Sequence, residues 1–372
     1  MGLGSMGASA TYHLARRGVR VLGLDRFDPP HDRGAHSGGS RILRMAYMEG
    51  AEYVPLVRHS YEQWRALEAE SGRSLLLTTG GLMLGRPDAV AVAGALASAR
   101  EHGVTHELLG PAQIRKKYPA FTPAADEVAL FEADAGMLLP DRAIAAYLRL
   151  AGGYGAELRT EVAVLDWRAG ESGVEVETAE GTLSADRLVL APGAWAPELT
   201  RLDVPMRVQR RIQHYWEPAD RRPFARGRFP VWIWEYETGF AAYGLPAMEG
   251  VVKAAMHHGT EAVDPDRGAE PARDEEVTAM RKWLSTHVPG LADAEEAESA
   301  PCLYTLTPDE HFVLGLHPRY PQVSVACGFS GHGFKFVPVV GEILADLAQH
   351  GSTGHAISLF DPARDRTPKV RP

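Results

Sequence analysis

Gly2-Leu3-Gly4-Ser5-Met6-Gly7 forms a complete GxGxxG pattern. Such glycines suit the turn after a first parallel strand: Gly2 for the tight bend, Gly4 for close backbone approach to a pyrophosphate, and Gly7 for helix–sheet packing. Phosphate oxygens would then meet Gly4, Ser5 and Met6 at a helix N-terminus, where unpaired N–H groups and the macrodipole favour negative charge. Asp25 stands 18 residues past Gly7, near the roughly 20 at which a carboxylate meets the ribose. The motif alone leaves the dinucleotide open between NAD and FAD. Other residues suggest further chemistry. Arg44 and Lys335 together form a possible carboxylate clamp, a planar guanidinium fixing orientation and an ammonium adding a point charge. Lys253 sits among Val251, Val252, Ala254 and Ala255 and shares a strand face with His257 by period two; the alternative is an edge-strand lysine that discourages aggregation. Cys302 and Cys327 are the chain's two cysteines, too few for a disulfide scaffold, and an isolated cysteine is by default a small buried hydrophobe.

The elements that must position these groups follow from periodicity. Residues 8–17 have helical spacing, Gly18 fits a C-cap, and residues 19–24 read as a buried strand ending at Asp25. Residues 51–71 are helical, residues 75–84 read as a strand pair around Thr79-Gly80-Gly81, and further helices are expected over 87–102, 111–117, 141–153, 274–287 and 339–350. From Met206 to His258 the pattern changes to alternating strands, read as an antiparallel sheet inserted into the nucleotide domain. Trp232, Trp234 and Tyr236 share one face there, read first as core and alternatively as a wall of the substrate pocket. Residues 322–327 form a last buried strand before Gly328-Phe329-Ser330-Gly331-His332-Gly333.

The chain has 372 residues, 45% of them hydrophobic and 23% charged, with a formal net charge of −9. That is the composition of an ordinary globular protein, and the charge argues against nucleic acid or an anionic membrane as the main partner. With no apolar run of about 18 residues, no recognisable signal peptide and few cysteines, a cytoplasmic enzyme is expected. No metal is assigned.

The C-terminal blocks carry a resemblance. Cys302-Leu303-Tyr304-Thr305, Pro308-Asp309-Glu310-His311-Phe312 and the run Gly328 to Phe336 closely resemble the monomeric sarcosine oxidase and N-methyltryptophan oxidase family. So do Asp28-Pro29-Pro30-His31, Ser40-Arg41-Ile42-Leu43-Arg44, Tyr53 to Val57 and Phe131 to Gly136. The resemblance spans nearly the whole chain and implies FAD, contacted also by Gly331, Gly333 and Lys335 and joined through the Cys302 sulfur. It further implies Arg44 and Lys335 on the substrate carboxylate, Lys253 where oxygen takes electrons, Arg41 beside the flavin, and His257, Tyr243 and Tyr304 lining the pocket. One departure matters: Ser37 stands where sarcosine-specific members have an active-site histidine, which leaves room for a larger N-substituent or a cyclic amine.

The resulting expectation is an α/β chain with a Rossmann-like FAD-binding domain (1–74, 139–204 and 308–372) interleaved with an antiparallel-sheet substrate domain (75–138 and 205–307). Its activity would be FAD-dependent oxidation of a secondary or N-methylated amino acid by O2, giving an imine or aldehyde and hydrogen peroxide, in a monomer. A flavin dehydrogenase or D-amino-acid-type oxidase, a non-catalytic flavin carrier and an NAD(P)H-using reductase are the alternatives. Family members carry a short strand before the first glycines, so that strand is expected to be missing from this chain, which would begin at an internal Met or lack a preceding segment.

Overall fold

The computed structural model describes residues 1–171, 173–259 and 261–366; residues 367–372, the end of the third expected FAD-domain segment, lie outside them. The first helix, Ser5–Arg16, is rich in small residues and nearly all buried. It packs against Val337–His350 and Pro140–Gly153, so closely that a Cβ on Gly341 would lie 2.1 Å from Ser9 Oγ. A fourth helix, Val54–Ser71, lies against Val337–His350 and contributes Trp64 and Leu67 to the same core.

Two small sheets flank this layer. Leu22–Leu24 pairs in parallel with Glu157–Arg159. Leu188–Leu190 pairs in parallel with Tyr320–Cys327, which pairs antiparallel with Val313–His317. Met1 and Gly2 run between the two: Met1 N donates to Val189 O (2.8 Å), Ala191 N to Met1 O (2.9 Å) and Gly2 N to Leu24 O (2.8 Å). The parallel pairing with helices alongside is the expected Rossmann-like plan.

The larger sheet has eight strands in the order Glu295–Leu306, Arg207–Glu217, Val251–Met256, Phe240–Met248, Val231–Glu237, Gly81–Gly85, Val128–Glu132, Glu107–Leu109. The strands from Arg207 to Met256 pair antiparallel as expected, and one junction is parallel, Val231–Glu237 with Gly81–Gly85. Two strands do flank Thr79-Gly80, but not as partners: Leu76–Thr78 pairs with Gly136–Leu138 in a separate three-stranded sheet. Gly80, at φ +72°, turns the chain from one sheet into the other, and a two-strand pattern cannot reveal which partner each strand takes.

The pleat separates the large sheet's faces. Trp216, Trp232, Trp234, Ala242, Val252 and Ala254 point to one side, into a core closed by the helix Asp274–His287. There Trp283 stacks on Trp232 (5.4 Å between centroids) and on His287 (4.2 Å). The tryptophan stripe is therefore core, and the alternative in which it shapes the pocket is not borne out. On the opposite face, alternation with the ladder registers groups Gln213, Tyr215, Tyr243, Lys253, Cys302 and Tyr304. Lys253 lies on an interior strand, flanked on both sides, so the edge-strand explanation fails.

Candidate active site

The glycine turn builds an anion cradle. A Cβ on Gly7 would lie 1.7 Å from Gly2 O and one on Gly2 2.3 Å from Ala191 O, so both positions admit only glycine without rearrangement. Gly4 caps Ser5–Arg16 with no side-chain cap and no acidic residue in the first turn, leaving N–H groups aimed outward. Gly4, Ser5 and Met6 line a cavity of about 460 Å³, which Asp25, Arg41, Tyr304, Gly331 and Gly333 also reach. A Cβ at Gly4 would come no nearer than 3.9 Å to His36 Nδ1, so the space beside it is open for a phosphate.

Asp25 is buried and accepts from Leu3 N (2.6 Å) and Phe27 N (2.9 Å), with His31 Nε2 at 3.6 Å. Burial raises its pKa, but His31 and the two N–H groups outweigh that and hold it below the ordinary range. A carboxylate has about four acceptor sites, so capacity remains for a ribose hydroxyl. The lining residue that sequence reasoning missed is His36. It is buried, its Nε2 has no partner among the described residues, and burial pushes its pKa down to about 3. A glycine- and serine-rich loop gives no periodic signal that a histidine within it faces inward.

That loop, residues 34–40, covers the polar face of the large sheet, and its carbonyls converge on two cations. Arg41 donates to Ser40 O (2.7 Å), Ala35 O (2.8 Å) and Ser37 O. Lys253 Nζ donates to Gly38 O and Ser40 O, both at 2.9 Å. Tyr215 Oη and Gln213 Nε2 bind Gly38 O and Ser37 O. Gly38 sits at φ +95° with its missing Cβ 2.4 Å from Gln213 Oε1, which explains the glycine. Burial, then Arg41, lowers the Lys253 pKa well below the lysine range.

Cys302 is buried behind the cavity wall, with Arg41 Nη2 and Ala35 O each 3.4 Å from its sulfur. Both neighbours line the cavity; Cys302 does not. Cys327 does line it, although its thiol is buried and pushed up to about 12 by that burial. Tyr304 lies under Gly331, where a Cβ would come 2.2 Å from its ring. The Arg211 guanidinium stacks 5.1 Å from the ring centroid, and burial raises the phenol to about 12. His257 stands between Tyr304 (5.7 Å) and Tyr243 (6.1 Å).

Arg44 and Lys335 are brought together, and neither lines the large cavity, although Gly333 and Phe334 beside Lys335 do. Both are buried against one ring, Tyr47: the Arg44 guanidinium carbon lies 4.6 Å and Lys335 Nζ 5.1 Å from its centroid. Arg44 Nη2 donates to both Glu49 oxygens (2.8 and 2.7 Å) and Nη1 to Ala46 O, while its Nε, also buried, has no partner among the described residues. Lys335 donates to His332 O at 2.7 Å. Burial, then Arg44, lowers its pKa to about 7. Glu49 falls well below the carboxylate range, burial opposing and Arg44 prevailing. Sequence reasoning missed Glu49 as a partner; its spacing of five from Arg44 matches no regular period.

Residues 1–347 match the family described as DAO, FAD dependent oxidoreductase. The chain is 46% identical to a monomeric sarcosine oxidase of Streptomyces avermitilis, covering 98% of this chain and 96% of that protein. It is 33% identical to an N-methyl-L-tryptophan oxidase of Yersinia pestis, covering 98% of each. Among solved structures, NikD, an unusual amino acid oxidase essential for nikkomycin biosynthesis, superposes with a TM-score of 0.85 at 26% identity over 98% of this chain and 97% of that one.

Proposed function

The chain belongs to the family of monomeric sarcosine oxidases and N-methyl-L-tryptophan oxidases among the FAD-dependent oxidoreductases, and we propose that it oxidises a secondary or N-methylated amino acid with O2. It is an FAD-dependent amine oxidase; the substrate, the products and the residue roles are our reading. The observation carrying it is the pair Arg44 and Lys335, two buried cations against one tyrosine ring. Such a pair would grip a substrate carboxylate in place of Glu49, which Arg44 now holds, and the unpartnered Arg44 Nε adds a donor.

FAD, when bound, supplies the two-electron acceptor for the C–N bond and hands the electrons to oxygen. The open helix N-terminus at Gly4, Ser5 and Met6 would hold its pyrophosphate, with Gly2 and Gly7 shaping the turn, Asp25 holding the ribose, and Gly331, Gly333 and Lys335 bordering the ring. Cys302 would provide the sulfur for a covalent tether. Arg41 places positive charge at the sheet face, where Lys253 in its protonated form would favour charge developing on oxygen. His257, Tyr243 and Tyr304 would wall the substrate, and Ser37, small and bonded to Pro301 O (3.3 Å), would leave space beside it. Two electrons and two protons leave the CH–NH group, O2 becomes hydrogen peroxide, and water hydrolyses the imine to an aldehyde. In this reading residues 1–74, 139–204 and 308–372 bind FAD, residues 75–138 and 205–307 form the substrate part, and the protein works as a cytoplasmic monomer. Among the described residues no helix is long and apolar enough to cross a membrane.

The deciding experiment is an oxygen-electrode screen of sarcosine, N-methyl-L-tryptophan and pipecolate with peroxide measured in parallel. One peroxide per O2 with at least one of these supports the reading. Oxidation of primary D-amino acids alone, or turnover only with an artificial dye, overturns it.

A further inference from the structure

A cluster far from the glycine turn in sequence has metal-ligand chemistry. His59 on Val54–Ser71, Glu342 on Val337–His350 and His355 in the segment after that helix each offer one ligand atom, all within 4.8 Å of one another. His59 Nε2 lies 2.8 Å and His355 Nε2 3.2 Å from the same oxygen, Glu342 Oε2. The imidazole centroids are 5.1 Å apart. Zinc bonds of about 2.0–2.2 Å at tetrahedral angles separate ligand atoms by roughly 3.3 Å, so the cluster needs only slight opening to enclose an ion.

We propose that His59, Glu342 and His355 form a site for a divalent transition metal of the zinc class, with water in the fourth position. Two imidazoles and one carboxylate suit zinc, nickel or copper, whereas calcium and magnesium want oxygen alone. Glu62 Oε2 lies 3.5 Å from His59 Nδ1; on metal binding that carboxylate would favour the tautomer that leaves Nε2 free to ligate, a common support for a metal-bound histidine. Gln63 Nε2 donates to Glu342 Oε2 at 2.8 Å and orients the carboxylate. His59, Glu342 and His355 are 36%, 26% and 23% exposed, so an ion has an entry path. The sequence gives no spacing signal, because 283 residues separate His59 from Glu342.

The ion would tie the segment after Val337–His350 to the helix bearing Trp64, whose indole donates to Lys335 O at 3.0 Å. None of the three ligands belongs to the proposed catalytic or cofactor machinery. The test is equilibrium dialysis of the tag-free, FAD-loaded protein against Zn2+, with metal counted per flavin. One equivalent is expected in the parent protein and none in the His59→Ala/His355→Ala double variant, with turnover unchanged. The single variant His355→Gln, in a surface segment, tests the same ligand should the double variant not fold. Glu62→Gln should weaken binding about 10- to 100-fold. No bound zinc in the parent, an equal amount in the histidine variants, or displacement by equimolar Mg2+ would each overturn the proposal.

Discussion

Lys335 would make the proposed carboxylate clamp pH-sensitive in a defined direction. Its pKa, lowered to about 7 by burial and then by Arg44, leaves an ammonium below that pH and a neutral amine above it. In that reading affinity for a carboxylate is full below about pH 7 and weakens as pH rises and the Lys335 charge is lost, and a bound anion moves the inflection upward. Titration of flavin absorbance with a carboxylate lacking an amine should show Kd rising through this window, and Lys335→Met should remove the inflection. Loss of the charge-assisted bond should also raise Kd about 10- to 100-fold. The tether is tested as directly: acid precipitation should leave the yellow flavin with the parent protein and release it from Cys302→Ser. These groups were legible unequally. Arg44, Lys335 and Cys302 stand out in the sequence because they lie in distinctive local blocks that resemble the family, and their roles rest on that resemblance. Glu49, Gln213 and His36 do not, because their roles come from contacts made by an irregular loop or across 172 residues, as between Arg41 and Gln213.

At the scale of elements, the glycine turn and Ser5–Arg16 were legible since their requirements are local: a missing Cβ, an open N-terminus, a small-residue helix. Gly7→Ala puts a methyl 1.7 Å from Gly2 O and should abolish FAD retention, measured as flavin per chain after purification. Gly152→Ala, in Pro140–Gly153 with nothing within 4 Å of the new methyl, should keep flavin and gain up to about 1 kcal/mol in thermal unfolding. If both variants bind FAD equally, the cradle is misassigned. The strands flanking Gly80 were seen but not their partners, because a short apolar run fixes a strand's faces and not its neighbours. Trp232 and Trp234 were read correctly as core by period two; their covering helix could be recognised in the sequence but not placed.

At the scale of the molecule, the large sheet uses its two faces for different ends. Trp283→Ala strikes only the aromatic face and should cost about 3–5 kcal/mol in denaturant unfolding. KM should be unchanged; a large change in KM would show that the faces are coupled. The loop of residues 34–40 joins the halves of the molecule. Its carbonyls are gathered by Arg41 and by Lys253, Tyr215 and Gln213, side chains drawn from both sides of the assembly. The order of assembly follows from this. The loop cannot settle until strands more than 170 residues downstream have been synthesised and docked, so a nascent or split chain presents the glycine turn without its roof. Cofactor capture should thus be a late event in maturation, and an N-terminal fragment with the complete GxGxxG should remain colourless until the missing half is supplied.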